Sequence, residues 1–160
     1  MNLIAFLQHR KGKMKIKLVF QEVTKLEDML PNYALVKELS PKLTKRLYTA
    51  YLKRMVIQGY RQLLVYEGGE LVAMSGVWIG TKLYCGTYLE IDNFIVKEAN
   101  RSGGLGSRIV REIEKIAARE GCQFIMLDAY VQNFKAHKFY YANGFKATGF
   151  HYMKRVLETV

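Results

Sequence analysis

At Lys15-Ile16-Lys17-Leu18-Val19-Phe20 polar and apolar positions start by alternating, the two-residue period of a strand. The period then changes. Over Lys25–Leu39 and Thr44–Gln58 apolar residues return three or four positions apart: Leu26, Met29 and Leu30, then Leu47, Ala50, Tyr51 and Met55. That spacing predicts two helices, separated by Ser40-Pro41, with Gly59 placed to end the second. Gln62–Tyr66 and Leu71–Ile79 read as strands joined through Glu67-Gly68-Gly69-Glu70, a hairpin turn because glycine tolerates positive φ at both central positions. Tyr88–Val96 is a further strand. Leu105–Glu120 is the clearest helix, with Leu105, Ile109, Ile113, Ile116 and Ala117 on one face and Gly121 after it as a cap. Phe124–Ala129 reads as a strand, Phe134–Ala142 as a short helix and Phe145–Met153 as a last strand.

The order β-α-α-β-β-β-α-β-α-β predicts an α/β (α+β) fold, a central sheet with helices against its faces. With 160 residues the chain fits one domain, taken as 15–160, preceded by an extension over 1–14 or by an alternative start at Met14. No apolar run approaches the roughly 20 residues needed to span a bilayer. Leu3–Leu7 is too short for a signal core, and Arg10, Lys11 and Lys13 lie on the wrong side of it, so a cytoplasmic protein is expected. Cys85 and Cys122 form no disulfide framework, and His9, His137 and His151 lack metal-ligand spacing; no metal is expected.

The formal net charge of +11 attracts polyanions, which include nucleic acid, anionic membrane and a phosphorylated co-substrate. Lys and Arg are spread along the chain rather than gathered into an arm, and neither an aromatic RNA-binding stripe nor a basic recognition helix is present. No specific nucleic acid and no membrane partner is expected.

Arg101-Ser102-Gly103-Gly104-Leu105-Gly106-Ser107 lies between a strand and a helix. A Gly-rich turn opening a helix leaves backbone N–H groups unpaired and aimed together, a nest for phosphate. It can equally be a plain connecting turn. It is not a Walker A loop, since no Gly-Lys-Ser/Thr follows, and Ile109 stands where a dinucleotide fingerprint has its third glycine.

Val96 followed five residues later by Arg101, then Gly104 and Gly106, resembles the signature of the GNAT superfamily of N-acetyltransferases. A second stretch, Asn133-x-x-Ala136-x-x-Phe139-Tyr140-x-x-x-Gly144-Phe145, is similar to that family's later helix, glycine turn and final strand. The resemblance covers about Tyr88 to Phe150. It implies a mixed sheet of about six to seven strands flanked by four helices, and acetyl-CoA as co-substrate. It also implies that Arg101–Ser107 holds the diphosphate, that the backbone splays at a bulge after Asn93, and that Phe94, Ile95 and Val96 bind the pantetheine and acetyl group. Homodimers occur in the family.

Acetyl transfer to an amine needs a base for the ammonium, donors for the oxyanion and an acid for the leaving thiolate. Tyr140 matches the family tyrosine near the cofactor sulfur and is the candidate acid; otherwise it packs against or hydrogen-bonds the co-substrate. Strand alternation puts Glu90 and Asp92 on one face, with Ile91 and Asn93 on the other. Glu90 resembles the catalytic glutamate of the family's histone acetyltransferases, and Asp92 the acid that its polyamine acetyltransferases use at the acceptor amine. Glu90 is placed ahead of Asp92 as base, and two acids together suggest a small cationic acceptor. Otherwise they pair with Lys or Arg. The oxyanion donor falls to the N–H of Ile95 or a neighbour. Asn133 is a co-substrate contact or a helix N-cap. Tyr33, Tyr48 and Tyr51 line a pocket or fill the core. The expected function is transfer of acetyl from acetyl-CoA to a primary amine of a small molecule. The alternatives are acetylation of protein Lys or N-termini, and a non-catalytic module binding acetyl-CoA or RNA.

Overall fold

The computed structural model of the chain describes residues 17–157. The expectations for 1–14, for a start at Met14 and for the strand residues Lys15 and Ile16 lie outside the described residues. The elements run β1 (Leu18–Val23), α1 (Leu26–Met29), a 3-10 turn (Leu30–Asn32), α2 (Tyr33–Leu39), α3 (Lys45–Ile57), β2 (Arg61–Glu67), β3 (Glu70–Lys82), β4 (Gly86–Val96), a 3-10 turn (Glu98–Asn100), α4 (Leu105–Arg119), β5 (Phe124–Leu127) and α5 (Phe134–Ala142). The single helix expected over Lys25–Leu39 is broken, because Pro31 carries no N–H to donate into an α-helical ladder.

The strands lie in chain order β1-β2-β3-β4-β5. The first four are antiparallel, and β5 runs parallel to β4. A parallel neighbour needs a crossover, which α4 supplies. One face of the sheet buries Leu63, Val65, Val77, Leu89 and Ile91 against Leu105, Ile109, Ile113, Ile116 and Ala117 of α4. The other buries Leu64, Met74 and Ile95 beneath Met29, Leu35, Val36, Tyr48 and Leu52 of the first helices. Each large apolar side chain taken out of water contributes about 1.5–3 kcal/mol, so α4 anchors the crossover through its buried stripe.

The sheet therefore has five strands among the described residues, against the six to seven expected. The difference lies at the end of the chain, where Phe145–Met153 forms no strand. Phe150, Tyr152 and Met153 are exposed, so no neighbour covers the alternating face that would reward pairing. His151 Nδ1 still comes within 2.9 Å of Asp128 Oδ2 just past β5, so the segment returns towards the sheet without adding to it.

Across the sheet's other end, Arg61 Nη1 lies 3.1 Å from Glu22 and 2.7 Å from Glu120, and Arg119 Nη2 lies 2.7 Å and 3.1 Å from the same two acids. This network ties β1 and β2 to the end of α4. Hydrogen bonds from Arg61 and then Arg119 hold the Glu120 carboxyl below its ordinary value of 4.5. A lowered folded-state pKa contributes stability above the unfolded value and loses it as pH falls through the folded one. Arg61→Met is expected to cost about 1 kcal/mol at pH 7. It is also expected to flatten the acid side of the stability curve below 4.5, read from thermal midpoints across pH. An unchanged acid slope would detach Glu120 from that stability.

Candidate active site

β4 and β5 run together only from Tyr88–Phe124 to Ile91–Leu127, where β5 ends. β4 continues alone to Val96, leaving its outer edge free. Its ladder with β3 also slips here: Met74 faces Ile95 but Gly76 faces Asp92, so Asn93 and Phe94 stand opposite Ser75 alone. That is a β-bulge, and Asn93 at φ 48° carries its left-handed turn.

The bulge resets which way side chains point. Asp92 stays on the face of Trp78, whose Nε1 donates to Asp92 Oδ2 at 3.4 Å, and Glu90 is the cross-strand partner of Trp78. Beyond the extra residue it is Ile95 that joins this face, while Phe94 and Val96 pack towards α4. The alternation that set Asn93 beside Ile91 fails at this one position. Ile91 is in the α4-side core, whereas Asn93 lines a cavity under α2 and α3, because its positive φ swings the side chain round.

Backbone groups follow the same logic. The Lys97 N–H donates to the Val72 carbonyl in β3 at 2.9 Å, and Arg101 Nε donates to the Val96 carbonyl from the opposite side at 2.9 Å. Strand alternation then turns the amides of Phe94 and Val96 to the free edge and that of Ile95 back to β3.

Past Val96 the chain enters the glycine-rich turn. Ser102 at φ 68° and Gly104 at φ 75° both take the left-handed region. Arg101 through Gly104 are exposed, and a Cβ built on Gly103 or Gly104 would meet no atom within 4 Å. Inside α4 the first amide to bond back is that of Arg108, to the Gly104 carbonyl at 3.2 Å. The amides of Leu105, Gly106 and Ser107 are the orphan donors of the helix start, with the positive end of a 15-residue helix behind them. This is an open, amide-lined turn beside the free edge of β4, a geometry that suits an anion.

Gly106 has a second use. A Cβ there would lie 2.9 Å from the Phe139 ring of α5, so the first turn of α4 meets that ring directly. Phe139 in turn packs on Phe94 with centroids 5.6 Å apart and on Tyr140 at 5.2 Å. Phe94 and Phe145 complete the setting of the Tyr140 ring at 6.3 Å and 5.6 Å. Burial among them pushes the Tyr140 hydroxyl above its ordinary 10.0, so it stays protonated through the neutral range. Tyr141, the next residue, points outward. Asn133 caps α5, its side chain accepting from the Ala136 amide at 3.1 Å.

On the other side of β4, the Tyr60 ring packs tilted against Trp78 with centroids 5.0 Å apart. Burial, and then the charge of Asp92, drive the Tyr60 hydroxyl far above its ordinary value. Tyr60, Asn93, Tyr48 and Tyr51 belong to the wall of a cavity of about 240 Å³ between the bulge and α2–α3. Tyr33 lies outside it, donating to the Leu43 carbonyl at 2.9 Å. A wider, open depression of about 500 Å³ is walled by Lys45, Arg46, Thr49, Ala50 and Lys53 of α3 alone and shares no residue with β4. No local sequence signal marks Tyr60 or Trp78 as site residues. Phe139 sits inside the second motif, whereas the neighbours of Tyr60 are fixed by strand register.

A sequence model described as the acetyltransferase (GNAT) family matches residues 26–145. The uncharacterized N-acetyltransferase YhdJ of Bacillus subtilis (strain 168) is 25% identical over 121 residues, 75% of this chain and 85% of its own. Among solved structures, the aminoglycoside N-acetyltransferase AAC(6')-Iy in complex with CoA superposes with a TM-score of 0.74 at 16% identity, over 88% of this chain and 95% of its own. Glucosamine-6-phosphate N-acetyltransferase from Arabidopsis thaliana superposes with a TM-score of 0.67 at 20% identity, over 87% and 98%. At these identities the two superpositions establish a shared fold, including the mixed sheet with helices on both faces.

Proposed function

The chain belongs to the acetyltransferase (GNAT) family and is an acetyl-CoA-dependent N-acetyltransferase; from that premise we propose that it acetylates the primary amine of a small cationic molecule by direct attack on the thioester. The observation that carries the reading is the free edge of β4 beyond Ile91. It runs from the bulge at Asn93 to the amide cradle at Gly104–Ser107, with Tyr140 beside it.

The cradle fits a diphosphate, since it offers converging N–H donors and open space above Gly103 and Gly104. Arg101–Ser107 is the proposed grip on that group, and the strand Phe94-Ile95-Val96 the proposed track for the pantetheine arm. The amides of Phe94 and Val96 face the open side, which supports one of them, rather than Ile95, as donor to the oxyanion. Asn133 serves as the cap that starts α5, and through it fixes where Tyr140 stands.

Asp92 is the base in this reading, with Glu90 second. Asp92 adjoins the bulge and faces Tyr60 and Trp78, whereas Glu90 lies about 6–7 Å further from the bulge along the strand, towards Lys82. Asp92, directly or through water, takes a proton from the acceptor ammonium. The freed nitrogen lone pair attacks the carbonyl carbon, the C–N bond forms, and the C–S bond breaks as Tyr140 hands its proton to sulfur; the second proton that the nitrogen sheds on becoming an amide restores Tyr140 through solvent. Amide, CoA thiol and one proton, released from Asp92 to solvent, leave the enzyme.

Two free thiols, Cys85 and Cys122, suit a reducing cytoplasm. For a homodimer, the outer edge of β5 with the exposed segment past Phe145 is the surface that fits.

Thiol release from acetyl-CoA in the presence of primary amines tests the reaction, and calorimetry with CoA tests the cradle. Gly104→Ala places a side chain at φ 75°, which costs about 1–2 kcal/mol or moves the turn. CoA affinity is expected to fall about tenfold. An unchanged affinity, or no thiol release with any amine or Lys-bearing peptide, would overturn the assignment.

A further inference from the structure

We propose that the cavity under α2 and α3 holds the apolar body of the acceptor, so that the substrate is a monoamine on an aromatic or branched hydrocarbon frame rather than a polyamine or aminoglycoside. This rests on the acetyl-transfer reading and narrows it. The cavity is walled mainly by Leu43, Leu52 and Met55 with the rings of Tyr48, Tyr51 and Tyr60; Ser40 is among its polar residues, and it includes no Asp, Glu, Lys, Arg or His. Its rim carries Asn93, the residue at the bulge where the free edge of β4 begins. A molecule seated by its hydrocarbon frame therefore presents one end to the place where the thioester carbonyl would lie.

Charge decides the rest. A single ammonium at that end finds the Asp92 carboxylate, beside Tyr60 and Trp78, and aromatic faces to stabilise it. A second or third ammonium would enter a wall that offers no carboxylate, in a chain whose net charge is already +11. A charge taken from water without a partner is strongly disfavoured. Exposed apolar surface on the ligand, by contrast, gains from Leu52 and Met55, buried and half-buried beneath Tyr51.

The experiment is a thiol-release assay on the whole chain with acetyl-CoA against phenethylamine, tryptamine, spermidine, kanamycin and a Lys-bearing peptide, with CoA calorimetry alongside. The expected result is a kcat/KM for phenethylamine or tryptamine at least about 100-fold above that for spermidine or kanamycin. Two cavity variants are then compared. Met55→Trp fills the space, and Tyr51→Ala opens its rim at a half-exposed position that leaves the core intact. Either is expected to raise KM for the aromatic amine about tenfold or more, with KM for acetyl-CoA within about twofold. CoA binding with faster turnover of spermidine, kanamycin or the peptide would overturn the acceptor class and leave acetyl transfer standing. CoA binding with no turnover of any aromatic amine, or an aromatic-amine KM unmoved in both variants, would also overturn it. Absence of CoA binding would take down both readings.

Discussion

Tyr140→Phe is expected to lower kcat by about 10²–10⁴-fold, the range for loss of a positioned general acid, while the affinity for acetyl-CoA changes by no more than about threefold. The substitution keeps the ring, and with it the packing against Phe94, Phe139 and Phe145 that shapes the α5 side of the cleft. Only the hydroxyl, with the proton it carries, is removed. An alkanethiolate leaves poorly without one, because its conjugate acid has a pKa of roughly 8.5 by analogy with cysteine. Burial holds the Tyr140 hydroxyl above 10.0, so the proposed acid is loaded at neutral pH and its loss by titration falls at higher pH than for a free tyrosine. The wild-type pH profile should thus show no decline attributable to this group below about pH 10. An acetyl donor with a more acidic thiol should recover part of the variant's rate. Single-turnover kinetics reads the chemical step directly; an unaltered rate there would remove the acid role and leave Tyr140 as packing alone.

Asp92→Asn is the second large effect. It should reduce kcat/KM by about 10²-fold near pH 7, with Glu90→Gln costing clearly less. The sign of the pH dependence is diagnostic. A base is needed only while the acceptor is an ammonium, so the deficit of Asp92→Asn should shrink as pH rises towards the amine's own pKa near ~10. A constant deficit across pH would assign Asp92 to acceptor binding. A larger deficit for Glu90→Gln would restore the order of preference drawn from the sequence.

Much of this site is legible without coordinates. The stripe from Leu105 to Ala117 announces α4, and the spacing of Val96, Arg101, Gly104 and Gly106 announces a turn whose amides converge. Both are local patterns written within one or two turns of chain. The free edge of β4 is not legible in that way, since it depends on β5 stopping at Leu127 rather than at Ala129. Asn93 is misplaced by simple alternation because a bulge adds one residue to the count, and nothing in Ile91-Asp92-Asn93-Phe94 states which of them is extra. Tyr60 follows a helix cap and reads as a connector, yet strand register brings it against Trp78 and Asp92 from 18 and 32 residues away. The stretch Phe145–Met153 has a strand's composition and no strand's company, which is why propensity alone misjudges it.

The absent side chain at Gly106 has a consequence for how the parts keep step. Because the opening turn of α4 rests on the Phe139 ring, and that ring also touches Phe94 and Tyr140, three separately encoded pieces share one gauge block. The spacing between the opening of α4, the free strand edge and the Tyr140 ring is thus set at one contact. A methyl group inserted at that contact would offset all three at once.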